Sequence, residues 1–395
     1  DGAMRWKAKK LSDCCTSIAD GDHQAPPKVD FGIPFVTISN INAYHQFDFT
    51  DTMFVSQEYY DQLDSKRKAQ EGDVLYSVVG SFGIPVYMKE TVPFAFQRHI
   101  AILRSNDTIL PQFLYYTMLS RDFYMMADAA ALGAAQRTVS LTALRNMKIS
   151  VPPMDAQKKI TDILSAYDDL IENNQKQIKL LEEAAQRLYK EWFVDLRFPG
   201  HETTPIVDGL PDGWEIQTLS QIADVVMGQS PKSEFYNQDR QGLPFHQGVG
   251  SYGTRFVIDT TYSTSFTRIA EAGSILFSVR APVGRLNITK NKIVIGRGLA
   301  AINHRSGMQS YLFYLLKERF FKDNIIGNGA IFASISKDEL LGQKFIVPVD
   351  DLVKRFNTVV SDIDGKIAGL ENQIMLLTES RDRLLPKLMS GEIEV

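Results

Sequence analysis

Nine polar or basic side chains stand on turn segments that contain glycine or proline, where a chain presents side chains to solvent, and a tenth, Lys292, stands in a basic stretch of the second copy. His23 and Gln24 follow Asp20-Gly-Asp, and Lys232 ends the segment Gly228-Gln-Ser-Pro-Lys. Side chains of these types contact phosphates and base edges, which predicts binding to a nucleic acid. The candidate residues are His23, Gln24, Ser81, Gln97, Arg98, Lys232, Arg280, Arg285, Lys292 and Arg297. Turn formation alone would also explain the glycines and prolines.

The charge of the chain is unevenly distributed. Its formal net charge is -4, but no acidic residue occurs between Glu271 and Glu318. This basic window contains Arg280, Arg285, Lys290, Lys292, Arg297, Arg305 and Lys317. A surface built from this window would be basic, which favours a local site for a polyanion. The alternative is that these side chains only solvate exposed strands.

The sequence lacks the motifs of the enzymes that modify or cut DNA. A DNA amino-methyltransferase needs Asn/Asp-Pro-Pro-Tyr/Phe, and neither Pro26-Pro27 nor Pro152-Pro153 has these neighbours. There is also no phosphate-binding lysine loop, no His-Glu-x-x-His and no nuclease pattern of Pro-Asp followed by Glu-x-Lys. We predict a binding protein with no metal site and no cofactor of its own. An enzyme with diverged motifs is the alternative.

The composition indicates the state of the cysteines and the location of the protein. Cys14 and Cys15 are adjacent, which disfavours an intrachain disulfide, so we expect both to be reduced. No apolar run approaches the roughly 20 residues that cross a bilayer, and we expect a soluble, cytoplasmic protein. Residues 1–3, which precede Met4, resemble the remnant of a purification tag.

Short strands followed by helices would carry the candidate residues. The predicted strands are Pro34–Ser39, Val74–Val79, His99–Leu103, Ile275–Val279 and Ile293–Ile295. Helical patterns cover residues 111–127 and 309–321. This mixture predicts two α/β or α+β domains, each with a curved sheet.

An internal repeat organises the chain. Residues 133–193 align without a gap on residues 329–389, an offset of 196 that pairs Asp168 with Asp364. Upstream, Trp6 aligns with Trp214, and Gly72–Val78 aligns with Gly273–Val279. A repeat of this size predicts two similar units.

Each copy ends in apolar residues spaced alternately by three and four, which predicts a long helix with one apolar seam. The helices should begin after Pro153 and Pro348 and pack antiparallel, so that each covers the seam of the other. The seam residues are Ile160, Leu164, Ile171, Asn174, Ile178, Leu181, Leu188, Ile363, Ile367, Leu370, Ile374, Leu377 and Leu384. The polar Asn174 would fix the register. A tolerated surface residue near a kink is the alternative.

These features together resemble the specificity subunit of type I restriction-modification enzymes, over residues 4–395. The resemblance rests on the duplication, on Val151-Pro-Pro-Met-Asp-Ala-Gln before the first long helix, and on Gly209-Leu-Pro-Asp-Gly-Trp opening the second copy. Gly228-Gln-Ser-Pro with Gly242-Leu-Pro-Phe supports it. Family members commonly have Glu where this chain has Ala156, so the resemblance does not predict which contacts are made at the start of this helix.

The resemblance implies target recognition domains at residues 4–153 and 199–349, and conserved helical regions at 154–198 and 350–395. The length of the helices and the difference in sequence between the two copies further predict that each domain binds one half of an asymmetric, bipartite site in double-stranded DNA, with the paired helices setting the gap. Two modification (methyltransferase) subunits and restriction subunits would be the protein partners. These partners would bind S-adenosylmethionine, ATP and Mg. The alternatives are a specificity subunit of a related type II system and a coiled-coil adaptor that does not bind DNA.

The length of the seam leads to a test. From Ile160 to Trp192 a helix spans roughly 48 Å, which limits the separation of the half-sites to about 14 base pairs. Deleting one heptad from both helices should shorten the unread gap by roughly 10 Å, or about three base pairs. Mapping methylated sites measures this gap, and unchanged spacing would contradict the spacer role of the helices.

Overall fold

The computed structural model describes residues 6–24, 26–320 and 334–395. Our predictions for residues 1–3, for the helix end at position 321 and for the start of the second copy at 329–333 lie outside these ranges. The chain divides into one unit of residues 1–174 with 373–395 and a second unit of residues 175–372. The division passes through both long helices, so each unit combines a mixed α and β region with part of each helix.

The first unit contains a four-stranded antiparallel sheet and a smaller three-stranded sheet. Its strands are β1 Lys7–Lys10, β2 Cys15–Asp20, β3 Ile33–Val36, β4 Met53–Val55, β5 Val74–Ser77, β6 Pro85–Tyr87, β7 Ala95–Phe96, β8 Ile100–Ser105 and β9 Lys148–Val151. Its helices are α1 Gln57–Gln62, α2 Pro111–Leu119, α3 Arg121–Ala130, α4 Leu141–Asn146 and the start of α5 Met154–Tyr189. The strand orders are β2-β8-β5-β6 and β4-β3-β7, with β3 parallel to β7, and β1 pairs with β9.

The second unit repeats the four-stranded antiparallel sheet, and its other sheet has five strands where that of the first unit has three. Its strands are β10 Ile206–Val207, β11 Leu210–Pro211, β12 Glu215–Thr218, β13 Ala223–Met227, β14 Tyr236–Asn237, β15 Leu243–His246, β16 Tyr262–Ser263, β17 Ile269–Ala270, β18 Ile275–Ser278, β19 Leu286–Ile288, β20 Ile293–Ile295, β21 Leu299–His304 and β22 Lys344–Val347. Its helices are α6 Leu219–Ile222, α7 Gln309–Phe320, α8 Lys337–Leu341 and the start of α9 Asp350–Met389. The strand orders are β13-β21-β18-β19 and β14-β16-β15-β20-β17, with β15 parallel to β20, and β12 pairs with β22.

The central strands are buried on both faces, which explains their continuous apolar sequences. Side chains of a strand alternate between its two faces, so successive residues enter different cores. In β5, Val74 and Tyr76 enter the core shared with the helices, whereas Leu75 enters the core shared with the smaller sheet. In β18, Ile275 and Phe277 alternate with Leu276 in the same way. The duplicated topology confirms the predicted fold class.

Helix α5 begins directly after Pro153, and α9 begins two residues after Pro348. The carbonyl of Pro153 accepts from the N–H groups of Ala156 and Gln157, 3.0 Å away in each case. The buried Gln157 side chain accepts from Leu110 N–H at 2.8 Å and donates to the Pro152 carbonyl at 3.0 Å. The Gln157 side chain therefore ties the start of α5 to the main chain before α2 and satisfies two main-chain groups outside α5.

The helices run antiparallel within each unit. In the first unit Asp168 of α5 contacts Arg381 of α9, and Asn174 contacts Gln373, so numbers rise along one helix as they fall along the other. In the second unit the ring of Tyr189 lies 5.7 Å from that of Phe356.

The predicted seam residues all lie on the buried side of the helices. The buried ones are Ile160, Leu164, Ile171, Asn174, Ile178, Ile367, Leu370 and Ile374. The half-buried ones are Leu181, Leu188, Ile363, Leu377 and Leu384. Asn174 donates to the Gln373 side-chain oxygen at 3.2 Å, and its role in fixing the register stays a prediction.

Repeat-related aspartates join each domain to the helices. In the first unit Asp168 accepts from the Tyr116 hydroxyl and from the Arg381 guanidinium, both at 2.6 Å. In the second unit Asp364 accepts from the Tyr314 hydroxyl at 3.5 Å and from Arg255. Burial raises the pKa of Tyr314 to about 12, so its hydroxyl keeps the proton that it donates.

Arg255 is the largest charged group buried in the second unit, with 2% of its surface exposed. Its guanidinium lies 4.1 Å from the centre of the Phe313 ring and 3.5 Å from a Glu182 carboxylate oxygen. The aromatic ring and the carboxylates compensate for part of the hydration free energy that the guanidinium loses on burial.

We predict that Arg255→Ala destabilises the second unit by roughly 3–5 kcal/mol, because it removes a buried guanidinium and leaves the half-buried Asp364 carboxylate without its cation. Thermal unfolding of the variant measures the loss. Arg305→Ala is the matched control, since Arg305 pairs with Asp224 at 3.2 Å on the exposed surface, where a pair contributes about 0–1 kcal/mol. Equal losses in the two variants would contradict the structural role of Arg255.

Candidate nucleic-acid interface

Strand order brings three loops together in the first unit. Strands β2 and β5 both run antiparallel to β8, so the ends of β2 and β5 lie beside the start of β8. We call residues 21–24, 79–84 and 97–99, which form these loops, the first loop surface.

The second unit places three loops in the same way. Strands β13 and β18 end beside the start of β21. We call residues 228–232, 280–285 and 296–298 the second loop surface.

Main-chain hydrogen bonds hold the first loop surface. Gly21 N–H donates to the Ile100 carbonyl at 3.2 Å, and Val78 N–H donates to the His99 carbonyl at 2.8 Å. Gln97 N–H donates to the Val36 carbonyl of β3 at 3.2 Å, which joins the loops to the smaller sheet.

The same bonds recur in the second loop surface. Gly228 N–H donates to the Leu299 carbonyl and Val279 N–H to the Gly298 carbonyl, each at 2.9 Å. Gly296 N–H donates to the His246 carbonyl of β15 at 2.8 Å. The two surfaces therefore share one main-chain framework.

Glycine is required where the loops approach most closely. A Cβ on Gly21 would lie 2.2 Å from the Phe96 carbonyl oxygen, and one on Gly228 would lie 2.0 Å from the Gly296 carbonyl oxygen. Both contacts are with main-chain atoms, which cannot move aside as a flexible side chain could. The first-turn glycines therefore have a structural cause in both units.

The predicted residues of the first unit all lie on the first loop surface. His23, Gln24, Ser81 and Arg98 are exposed, and Gln97 is half-buried. The His23 ring nitrogen Nε2 lies 2.8 Å from an Asp20 carboxylate oxygen. Their contact with DNA stays a prediction.

In the second unit the structure separates the predicted residues. Lys232, Arg280, Arg285 and Arg297 are exposed on the second loop surface. Lys292 instead precedes β20, at the opposite end of that strand from Arg297, and pairs with Glu271 at 2.9 Å. Lys292 is therefore not brought together with the other four.

Several cations of the basic window have partners within the second unit. Lys290 lies 3.9 Å from Glu371 and over the Phe256 ring, and Arg305 pairs with Asp224. Burial lowers the pKa of Lys317. The cations of this window that lie exposed on the second loop surface are Arg280, Arg285 and Arg297.

Two residues beside the second loop surface were not among the predicted ones. Gln247 is exposed after β15, and its side-chain oxygen accepts from the Ser230 hydroxyl at 2.7 Å. Arg268 is exposed one residue before β17, and its carbonyl accepts from Ile295 N–H. Both depend on the pairing of β15 and β17 with β20, which local sequence patterns do not reveal.

A buried histidine supports the segment that carries Gln247. The His246 ring lies 2.7 Å from the Ser251 hydroxyl through Nδ1 and 2.9 Å from Asp259 through Nε2. The hydrogen bond with His246 lowers the pKa of the Asp259 carboxyl. Because His246 is 1% exposed, this network positions a loop and does not face a ligand.

Two further features are absent from the described part of the chain. It contains no group of three or more His, Cys, Asp or Glu side chains arranged to hold a metal ion. No helix within it has the length and apolar character needed to cross a bilayer.

Comparison with known proteins identifies a family match. The family model of the type I restriction modification DNA specificity domain matches residues 4–183 and again residues 211–375. The two matches follow the duplication in the sequence and in the sheet topology.

Individual relatives agree with this match. A Methanocaldococcus jannaschii protein, provisionally named type I restriction enzyme MjaX specificity subunit, is 29% identical over 99% of this chain and 94% of its own length. The type I restriction enzyme MjaIX specificity subunit of the same organism is 25% identical over the same shares. A crystal structure of a type I restriction-modification S subunit from M. genitalium has a TM-score of 0.59 at 15% identity, covering 98% of this chain and 97% of that one. That likeness supports the fold.

Proposed function

Because the chain belongs to the type I restriction modification DNA specificity family, we propose that its two loop surfaces bind the two halves of one site in double-stranded DNA. The observation that carries this proposal is that the two loop surfaces have the same main-chain hydrogen bonds but present different side chains. Different side chains read different bases, so the two half-sites would differ and the site would be asymmetric.

We assign the recognition domains to residues 4–153 and 199–349, and the helical regions to residues 154–198 and 350–395. The antiparallel helices would separate the two half-sites by a gap whose bases are not read. The seam residues would set the length of this gap through the helix rise.

Two modification subunits would dock on the long helices. Two pairs of exposed apolar residues recur at the repeat offset of 196: Ile163 with Val359, and Leu180 with Leu376. Between 37% and 64% of each of these residues is exposed. Equivalent apolar positions on the two repeats would offer equivalent contacts to two copies of one partner.

Catalysis would belong to the partners. The modification subunits would bind S-adenosylmethionine and methylate adenine, and restriction subunits would use ATP and Mg. The chain itself would supply DNA specificity and no catalytic group. Its place of action would be the cytoplasm, where it meets DNA and these subunits.

Co-expression with a modification subunit, followed by sequencing of methylated adenines, tests this proposal. We expect methylation at a single asymmetric motif with two short specified halves and an unread gap. Methylation at a continuous or symmetric motif would contradict the assignment of one domain to each half-site. Methyl transfer by the chain alone would contradict its non-catalytic role.

We further predict that Arg280→Ala or Arg297→Ala weakens protection of one half-site only, because both residues lie on the second loop surface. DNA footprinting of the assembled complex measures protection of each half separately. Lys292→Ala is the control, since Lys292 lies away from that surface and should leave both halves protected. Equal loss at both half-sites, or no loss at either, would contradict the assignment.

A further inference from the structure

The two loop surfaces can be compared position by position, because their main-chain hydrogen bonds correspond. The bonds from Val78 and Val279 to the carbonyls of His99 and Gly298 align these last two residues. The residues before them, Arg98 and Arg297, therefore occupy equivalent positions. The bonds from Gly21 to Ile100 and from Gly228 to Leu299 align the first loops in the same way.

Most residues that the two surfaces share are explained by the fold. The shared glycines at 21 and 228 avoid a collision with main-chain oxygens. Gly83 and Gly284 adopt φ angles of 95° and 88°, which favour glycine. The Ser77 and Ser278 hydroxyls accept from the N–H groups that close the second loop, at 2.9 and 2.8 Å.

Arginine at positions 98 and 297 has no such explanation. Both side chains are exposed. Within the described ranges, neither guanidinium takes part in a hydrogen bond, an ion pair or a contact with an aromatic ring. Only their main-chain N–H groups are held, that of Arg98 by the Asp22 carbonyl at 2.9 Å and that of Arg297 by the Ser230 hydroxyl at 3.2 Å.

The neighbouring loop positions differ between the units. Gln97 corresponds to Gly296, and the alignment of the first loops pairs His23 with Ser230. In the second loop Val79 corresponds to Arg280, because Val79 bridges Thr138 where Arg280 bridges Ser334, at the repeat offset of 196.

We infer that Arg98 and Arg297 make the same contact in the two half-sites, a charge-assisted hydrogen bond to a backbone phosphate of the DNA. This inference rests on the proposed function. Two half-sites of different sequence have the phosphodiester backbone in common, so a residue shared by both surfaces matches the shared feature of the ligand. The differing residues around each arginine then carry the choice of bases.

Salt-dependent binding separates a phosphate contact from a base contact. The chain in complex with its modification subunit is titrated with labelled duplexes between roughly 50 and 200 mM salt. One duplex carries the site found by methylation mapping, and the others carry single base-pair changes in each half. The variants are Arg98→Ala, Arg297→Ala, Arg98→Lys and Arg297→Lys, with Arg280→Ala for comparison and Lys292→Ala as the control.

Each arginine-to-alanine change should weaken binding roughly fivefold to tenfold on every duplex, whatever its sequence. It should also reduce the slope of log affinity against log salt by about 1, because one counterion fewer is released. The lysine variants should keep most of that slope, since lysine also carries a charge to the phosphate. Melting temperatures should match the wild type, because the side chains are exposed.

Other results would overturn the inference. A loss confined to duplexes with one particular base pair would mean that the arginine reads a base. An unchanged salt slope with unchanged affinity would mean that it does not contact DNA. If the wild-type complex does not prefer the mapped site, the proposed function itself is wrong. If the wild-type complex prefers that site and the variants bind equally well, only the inference about the two arginines is wrong.

Discussion

Asp168 and Asp364 are equivalent residues of the two long helices, and each holds its domain in place by accepting from a tyrosine of that domain. A carboxylate at such a site needs a cation, and the two units supply it differently. In the first unit Arg381 comes from the second long helix; in the second unit Arg255 comes from a domain loop. The position equivalent to Arg381 is Ala185, which is fully buried. With the apolar cores that domain and helix residues share, this interaction joins each domain to its helices.

The parts of the fold with strong periodicity could be predicted from the sequence. The heptad spacing located both long helices, and prolines located their starts at Met154 and Asp350. The repeat predicted two similar domains, and the family expected from Val151-Pro-Pro-Met and Gly209-Leu-Pro-Asp-Gly-Trp is confirmed by the family match. A helix with one buried face has apolar residues at regular intervals, which explains why these elements could be predicted from the sequence.

Contacts between distant short strands could not be predicted. Gln247 and Arg268 reach the second loop surface only because β15 and β17 both pair with β20, strands of two to four residues that carry no periodic signal. Lys292 is the opposite case, because it is close to Arg297 in sequence and lies at the other end of β20. The net charge of a sequence window does not indicate at which end of a strand each charged residue lies. The buried role of Arg255 is likewise invisible, since its partners lie far away along the chain.

The loop framework is built from main-chain groups, and this affects how the protein can change. Every residue except proline supplies an N–H group, so exchanging an exposed loop side chain removes no hydrogen bond of the framework. The glycines and serines with stated contacts are fixed by geometry, and Val79, Phe82 and Val283 are fixed by packing against the cores. Mutations at the exposed loop positions are therefore nearly neutral for folding, and each recognition domain can diverge independently of the other. A duplicated gene with this construction can acquire new combinations of DNA targets one half at a time.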